Sequence, residues 1–181
     1  MSEVSVVLHN IRSLHNVGSI FRTSDGAGVK KIYLCGYTPA PQDKLGRTPS
    51  GLAKTALGAE NNIPWEKITK TANLISRLAK QGYKIWAVEQ AEKSVLYSSV
   101  RPAGRDKIVL VLGPEVKGLP ESILKRCDKI LEIPMRGVMV RHAHHPRSIG
   151  KGKESLNVSV AFGIVAYQLT ADNRKVLSPK S

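Results

Sequence analysis

Ile108-Val109-Leu110-Val111-Leu112 is apolar at every position and runs straight into Gly113-Pro114-Glu115-Val116-Lys117-Gly118-Leu119-Pro120. A strand with no polar alternation has no face to offer to water, so it belongs in the middle of a parallel sheet covered by helices on both faces. The Gly-Pro pair ends the strand. Pro120, with its fixed φ, suits the first turn of a helix reaching about residue 125.

Toward the N-terminus, Val4-Ser5-Val6-Val7-Leu8 reads as a second strand. Asn16 is placed to cap a helix over 17–28, and Lys31-Ile32-Tyr33-Leu34-Cys35 follows as a strand. Strand, helix, strand implies parallel pairing. On that helix Val17, Ile20, Phe21 and Ala27 share one side, and Gly18, Arg22 and Asp25 another. Residues 36–51, rich in Pro and Gly, read as a long irregular loop, and 55–60 as a structured turn. A helix is expected over 68–81, a strand at Ile85-Trp86-Ala87-Val88, and a polar connection over 94–106. Toward the C-terminus, Lys129-Ile130-Leu131-Glu132-Ile133 forms the last strand. The final helix, over 157–170, is apolar nearly all round and needs cover on more than one side. The sheet can supply one cover and a second copy of the chain the other. The expectation is an α/β protein with one domain over 1–171 and a polar tail over 172–181.

Bulk properties narrow the function. The 181 residues suffice for a full core. Lys plus Arg number 28 against 14 Asp plus Glu, a formal charge of +14, which favours a polyanionic partner such as RNA. Aromatics make up only 5%, so a grip on the backbone of a structured RNA is favoured over a base-stacking surface. Cys35 and Cys127 have no paired spacing and fit reduced thiols. No apolar window approaches the about 20 residues of a membrane span, so a cytoplasmic protein without a membrane partner is expected.

Several motifs are missing. Neither a G-x-G-x-x-G after the first strand nor a G-x-x-x-x-G-K-[ST] is present, and no G-x-S-x-G elbow supports a serine hydrolase. His142-Ala143-His144-His145 is weak support for a metal, and none is assigned.

Three blocks are present instead: Asn10-x-Arg12 with Asn16-x-Gly18-x-x-x-Arg22-Thr23; Leu112-Gly113-x-Glu115-x-x-Gly118-Leu119; and Ile133-Pro134-Met135 with Ser155-Leu156-Asn157-Val158-Ser159-Val160-Ala161. Together they resemble the three motifs of the SpoU (TrmH-like) RNA 2′-O-ribose methyltransferases of the SPOUT superfamily. The resemblance implies a parallel sheet with helices on both faces and a C-terminal trefoil knot, an exception to the usual absence of knots. It also implies S-adenosyl-L-methionine as cofactor and a homodimer with its active site at the interface. Carried over by position, Leu112, Gly113, Ile133, Met135 and Leu156 hold the cofactor. Arg22 is the catalytic arginine, with Asn16, Glu115, Ser155 and Asn157 as the other polar site residues. Arg12, close by in sequence, becomes a candidate for substrate phosphate, as does Arg22. Taken singly, Asn16 also suits a helix cap, Glu115 an ion pair and Ser155 a helix start.

The residue types suit the chemistry. Transfer of a sulfonium methyl to a ribose oxygen requires alignment of oxygen, carbon and sulfur, and stabilisation of an oxygen gaining negative charge. With a pKa above about 12, arginine serves that second need better than it serves as a base. Proton removal remains open among Asn157, Ser155, a substrate phosphate and water.

One departure from the family stands out. About fourteen residues at 138–151, VMVRHAHHPRSIGK, are inserted between the Ile-Pro-Met and Ser-Leu-Asn landmarks. They are expected to form a tolerated bulge, because loop length costs little closure entropy. The expected function is methyl transfer to a ribose 2′-OH of tRNA, or less favourably of rRNA. The alternatives are a knotted RNA-binding protein impaired in catalysis, which deletion of the insert would reactivate, and a base methyltransferase of the same superfamily.

Overall fold

The computed structural model describes residues 2–43, 45–135 and 155–170. The 138–151 insert, His142-Ala143-His144-His145 and the 172–181 tail lie outside the described residues. Strand β1 (Glu3–His9), helix α1 (Leu14–Ala27) and strand β2 (Ile32–Cys35) come first. They are followed by α2 (Ser50–Ala56), α3 (Ala59–Asn62), β3 (Trp65–Ile68), α4 (Thr71–Lys80) and β4 (Tyr83–Val88). Next are β5 (Val95–Leu96), a 3₁₀ turn at Tyr97–Ser99, β6 (Lys107–Leu112), α5 (Glu121–Leu124), β7 (Lys129–Glu132) and α6 (Val158–Thr170).

The seven strands form one sheet in the order β3-β2-β1-β6-β4-β7-β5, parallel at every pairing. The all-apolar β6 lies between β1 and β4, as its composition requires. Because side chains alternate along a strand, the central strands feed two cores. Val6, Leu8, Ile108 and Leu110 pack with Phe21, Leu52, Phe162 and Val165 under α1, α2 and α6. Val7, Val109 and Val111 pack with Leu74, Ile75, Leu78 and Ile123 under α4 and α5. Both faces are thus covered, and the buried end of β2 places the Cys35 thiol where burial pushes its pKa up to about 11.

Local differences from the sequence reading have physical causes. Ser13, not Asn16, is the N-cap of α1: its hydroxyl accepts from the Asn16 N–H at 3.2 Å. A short serine side chain reaches the third N–H of the helix, which leaves the Asn16 amide free for other partners. The helix stops at Gly28 in the left-handed region, with φ 71°. The 36–51 loop gives way at Ser50 to α2, and the region read as a turn at 55–60 belongs to α2 and α3. At Gly18, α1 approaches α2 so closely that a Cβ would strike the Leu52 carbonyl and the Thr55 hydroxyl. The helix expected over 68–81 starts at Thr71, since Ile68 ends β3, paired with Cys35. The connection over 94–106 contains the edge strand β5. Finally, β7 stops at Glu132, so Ile133 lies past the last ladder position.

Candidate active site

Strands β6, β4 and β7 are neighbours, and their carboxyl ends open on one cavity of about 690 Å³. Side chains of Leu112, Leu119, Leu124, Leu131, Ile133, Leu156, Val158 and Ala161 give it an apolar wall. Glu89, Glu115, Lys117 and Ser155 add polar groups. Ile133 approaches from the end of β7 and Leu156 from the residues leading into α6, so the two landmarks separated in sequence meet across the cavity. Gly113 leaves no room for a side chain, because a Cβ there would stand 2.8 Å from Leu119 Cγ and 2.9 Å from its backbone nitrogen. Gly118 turns the same loop with φ +65°.

At the rim, three elements converge on one carboxylate oxygen. Glu115 Oε1 accepts from Asn16 Nδ2 at 2.7 Å, from Asn157 Nδ2 at 3.1 Å and from the Val158 N–H at 3.4 Å. Asn157 Nδ2 also donates to Asn16 Oδ1 at 3.0 Å, and Asn157 Oδ1 accepts from the Ser159 N–H at 2.9 Å, capping α6. The carboxylate therefore sits at the positive end of the α6 dipole. Asn16, Glu115 and Asn157, remote in sequence, form one hydrogen-bonded cluster beside Ser155.

Other expected site residues stand apart. Met135 lies outside this cavity, on an adjoining depression shared with Gln90, Glu132 and Ile133. It follows Pro134, beyond the last ladder position of β7, and is 45% exposed. Arg22 is exposed on α1, about a third of a turn around the helix from Asn16. It has no hydrogen bond or ion pair among the described residues and does not line the cavity. Arg12 also lies off the wall, with its guanidinium 6.0 Å from the Tyr37 ring centroid. Sequence reasoning passed over Glu89, just beyond β4. Its Oε2 accepts from the Leu119 N–H at 2.8 Å and its Oε1 from the Gln90 N–H at 3.0 Å. A carboxylate directly after a buried strand in a doubly wound sheet was the available signal.

The arrangement fits S-adenosylmethionine chemically. An apolar wall suits a purine ring, backbone groups beyond the strand ends can meet its edges, and the lining carboxylates Glu89 and Glu115 give the cavity a negative charge that suits a cationic sulfonium and ammonium. Among the described residues, no group of three or more His, Cys, Asp or Glu is placed to hold a metal, and no helix is long and apolar enough to cross a membrane.

Comparison with known proteins gives a consistent picture. The sequence profile described as the SpoU rRNA Methylase family matches residues 3–167. The 23S rRNA (guanosine-2′-O-)-methyltransferase RlmB of Coxiella burnetii is 32% identical over 166 residues, covering 91% of this chain and 56% of the relative. This chain thus spans a little over half the length of that relative. An AdoMet-bound rRNA methyltransferase from Sinorhizobium meliloti superposes with a TM-score of 0.74 at 27% identity, over 92% of this chain and 55% of the other. A TrmH/SpoU tRNA modifying enzyme from A. aeolicus superposes with a TM-score of 0.72 at 26% identity, over 94% and 75% of the two chains.

Proposed function

The chain belongs to the SpoU rRNA methylase family, and from that premise we propose that it is an RNA 2′-O-methyltransferase that uses S-adenosylmethionine. When bound, the cofactor supplies an electrophilic methyl group on sulfur. The observation that carries the reading is the Asn16–Glu115–Asn157 cluster at the mouth of a cavity walled by Ile133 and Leu156.

In this reading Leu112, Gly113, Ile133 and Leu156 enclose the cofactor, with the wall excluding water. Glu115, held by two amides and a helix N-terminus, keeps the 113–119 loop and the start of α6 in register. Asn157 and Ser155 orient the ribose hydroxyl at the rim. Arg22 stabilises the oxygen as it gains charge and holds a neighbouring phosphate. Since Arg22 stands away from the cavity of its own chain, the reading requires a homodimer in which each subunit's Arg22 serves its partner. The exposed Val160 and Tyr167 of α6, 50% and 53% exposed, support a second copy packing there. A trefoil knot belongs to the same reading, supported by the approach of Ile133 and Leu156 to one cavity from opposite ends of the intervening chain.

Ribosomal RNA is the proposed substrate class, a change from the tRNA favoured by the sequence alone. The support is the rRNA specificity in the name of the Coxiella relative and of the Sinorhizobium structure. The A. aeolicus enzyme keeps tRNA as the second reading. The test is transfer of labelled methyl from S-adenosylmethionine to separate rRNA and tRNA fractions, with the product located on ribose or base by mass spectrometry. Ribose methylation of rRNA is expected. Label on tRNA selects the second reading, and label on a base selects a different reaction. No transfer to either RNA, with no cofactor binding by calorimetry, sinks the proposal.

A further inference from the structure

Tyr37 sits at the tip of a turn that is clamped on both sides, yet its own ring points into solvent at 57% exposure. On one side, the Gly36 N–H donates to the Ile68 carbonyl at 2.9 Å, and Lys67 Nζ donates to the Gly36 carbonyl at 2.7 Å. On the other, the fully buried Thr38 donates its hydroxyl to the Leu8 carbonyl at 2.9 Å and accepts from the Ile11 N–H at 3.0 Å. Lys67 also donates to the Thr38 carbonyl. Between the clamps, the Tyr37 N–H donates to Asn10 Oδ1 at 3.2 Å. Asn10 itself holds a left-handed φ of 57°, and Gly36 packs so closely on it that a Cβ would collide with its amide oxygen. Such backbone strain persists only where the surroundings fix it.

Between these anchors, the Tyr37 side chain lies outside both cores. The Tyr37 hydroxyl has no hydrogen-bond partner among the described residues, and the Arg12 guanidinium lies over the ring, 6.0 Å from its centroid. Arg12 is exposed and lacks an ion-pair or hydrogen-bond partner among the described residues. It lies one residue before the cap of α1, four before Asn16 of the site cluster.

We propose that Tyr37 and Arg12 form a preorganised stacking platform for an unpaired nucleobase of the RNA, with Arg12 also within reach of that nucleotide's phosphate. This rests on the RNA-methyltransferase reading. A flat aromatic face on a fixed backbone accepts any base, and the guanidinium over one side of the ring, 6.0 Å from its centroid, supplies a second planar surface and a charge for the nucleic-acid backbone. The fixed backbone matters because only the side chain is left to order on binding. The net charge of +14 favours a polyanion such as RNA as occupant. The platform adds one base-stacking position to a surface otherwise suited to backbone contacts.

The test uses the full chain and a short unstructured RNA carrying 2-aminopurine, with affinity followed by anisotropy and stacking by fluorescence quenching. Tyr37→Phe is expected to keep both. Tyr37→Leu is expected to weaken binding about tenfold and remove the quenching that depends on the ring, with calorimetric affinity for S-adenosylmethionine unchanged. Arg12→Gln is expected to weaken binding and flatten its salt dependence. Unchanged affinity and quenching in Tyr37→Leu overturns the platform, whether or not methyl transfer is observed. The same holds if Tyr37→Leu shifts the monomer–dimer equilibrium in sedimentation while RNA affinity stays constant, since the ring then belongs to a protein interface. Quenching that depends on Tyr37 in a protein that methylates no RNA supports the platform and counts against the methyltransferase reading alone.

Discussion

Asn16 Nδ2 donates to Glu115 Oε1 at 2.7 Å, tying the first turn of α1 to the loop that leaves β6. Asn157 adds the start of α6 to the same oxygen. One carboxylate therefore links three segments at the rim, adding to the packing of α1 on α6 and to the direct Asn157–Asn16 hydrogen bond.

Glu115→Ala removes the acceptor for all three donors. Turnover is expected to fall sharply. A loss of about 1 kcal/mol in stability, typical of a net hydrogen-bond contribution at a partly exposed site, lowers Tm by roughly 2–4 °C for a chain this long. Calorimetric unfolding and a methyl-transfer assay read the two effects. Full activity in this variant would remove Glu115 from the site.

Arg22→Ala is expected to lower kcat by roughly 10²–10³-fold, the usual cost of losing one donor to a developing oxyanion. Affinity for S-adenosylmethionine should stay within about twofold, because Arg22 does not line the cavity. Mixing Arg22→Ala with an Asn157→Ala variant tests the dimer: restored activity in the heterodimer is expected if each arginine serves the opposite subunit.

Glu89 holds the far end of the 113–119 loop through the Leu119 N–H. Glu89→Gln keeps an acceptor oxygen and should retain most cofactor affinity. Glu89→Ala leaves that N–H without its partner and should weaken cofactor binding about tenfold, the cost of about 1.4 kcal/mol. Titration calorimetry with the two variants decides the matter; equal affinities would show that the latch is idle.

The Cys35 thiol, raised by burial from 9.0 to about 11, makes stability depend on alkaline pH. The folded chain holds this proton more tightly than the unfolded chain, so the contribution is fully present below pH 9.0 and is lost as pH climbs toward about 11. Cys127, likewise raised by burial to about 11, acts in the same direction. Urea midpoints measured across this window should fall less steeply in Cys35→Ala than in the unsubstituted chain. Parallel curves would show that the thiol carries no such linkage.

Much of this architecture was legible because its signals are local. Five consecutive apolar residues at 108–112 mark a strand buried on both faces, and Val17, Ile20 and Phe21 mark the buried side of α1. Boundaries failed where two elements share residues: Ile68 fits a helical period as well as a strand end, and pairing with Cys35 decides between them. Short elements such as β5 exist only because β7 is there to pair with. Asn16, Glu115 and Asn157 could be named from the family resemblance, but no spacing reveals that they share one oxygen. Glu89 and Tyr37 escaped notice for a related reason: their roles come from the backbone groups brought to them by other strands.

The sheet order has a consequence for how the chain comes into being. Glu3 of β1 pairs with Lys107 of β6, while β2, next in sequence, covers only the other edge. During synthesis β1 remains an open edge until β6 has been made, so its inner ladder cannot close early. Such sequence-distant parallel pairing folds slowly. The nascent chain therefore carries this apolar edge unpaired while residues 10–106 are being made, an interval in which exposed strand edges invite aggregation and chaperone binding.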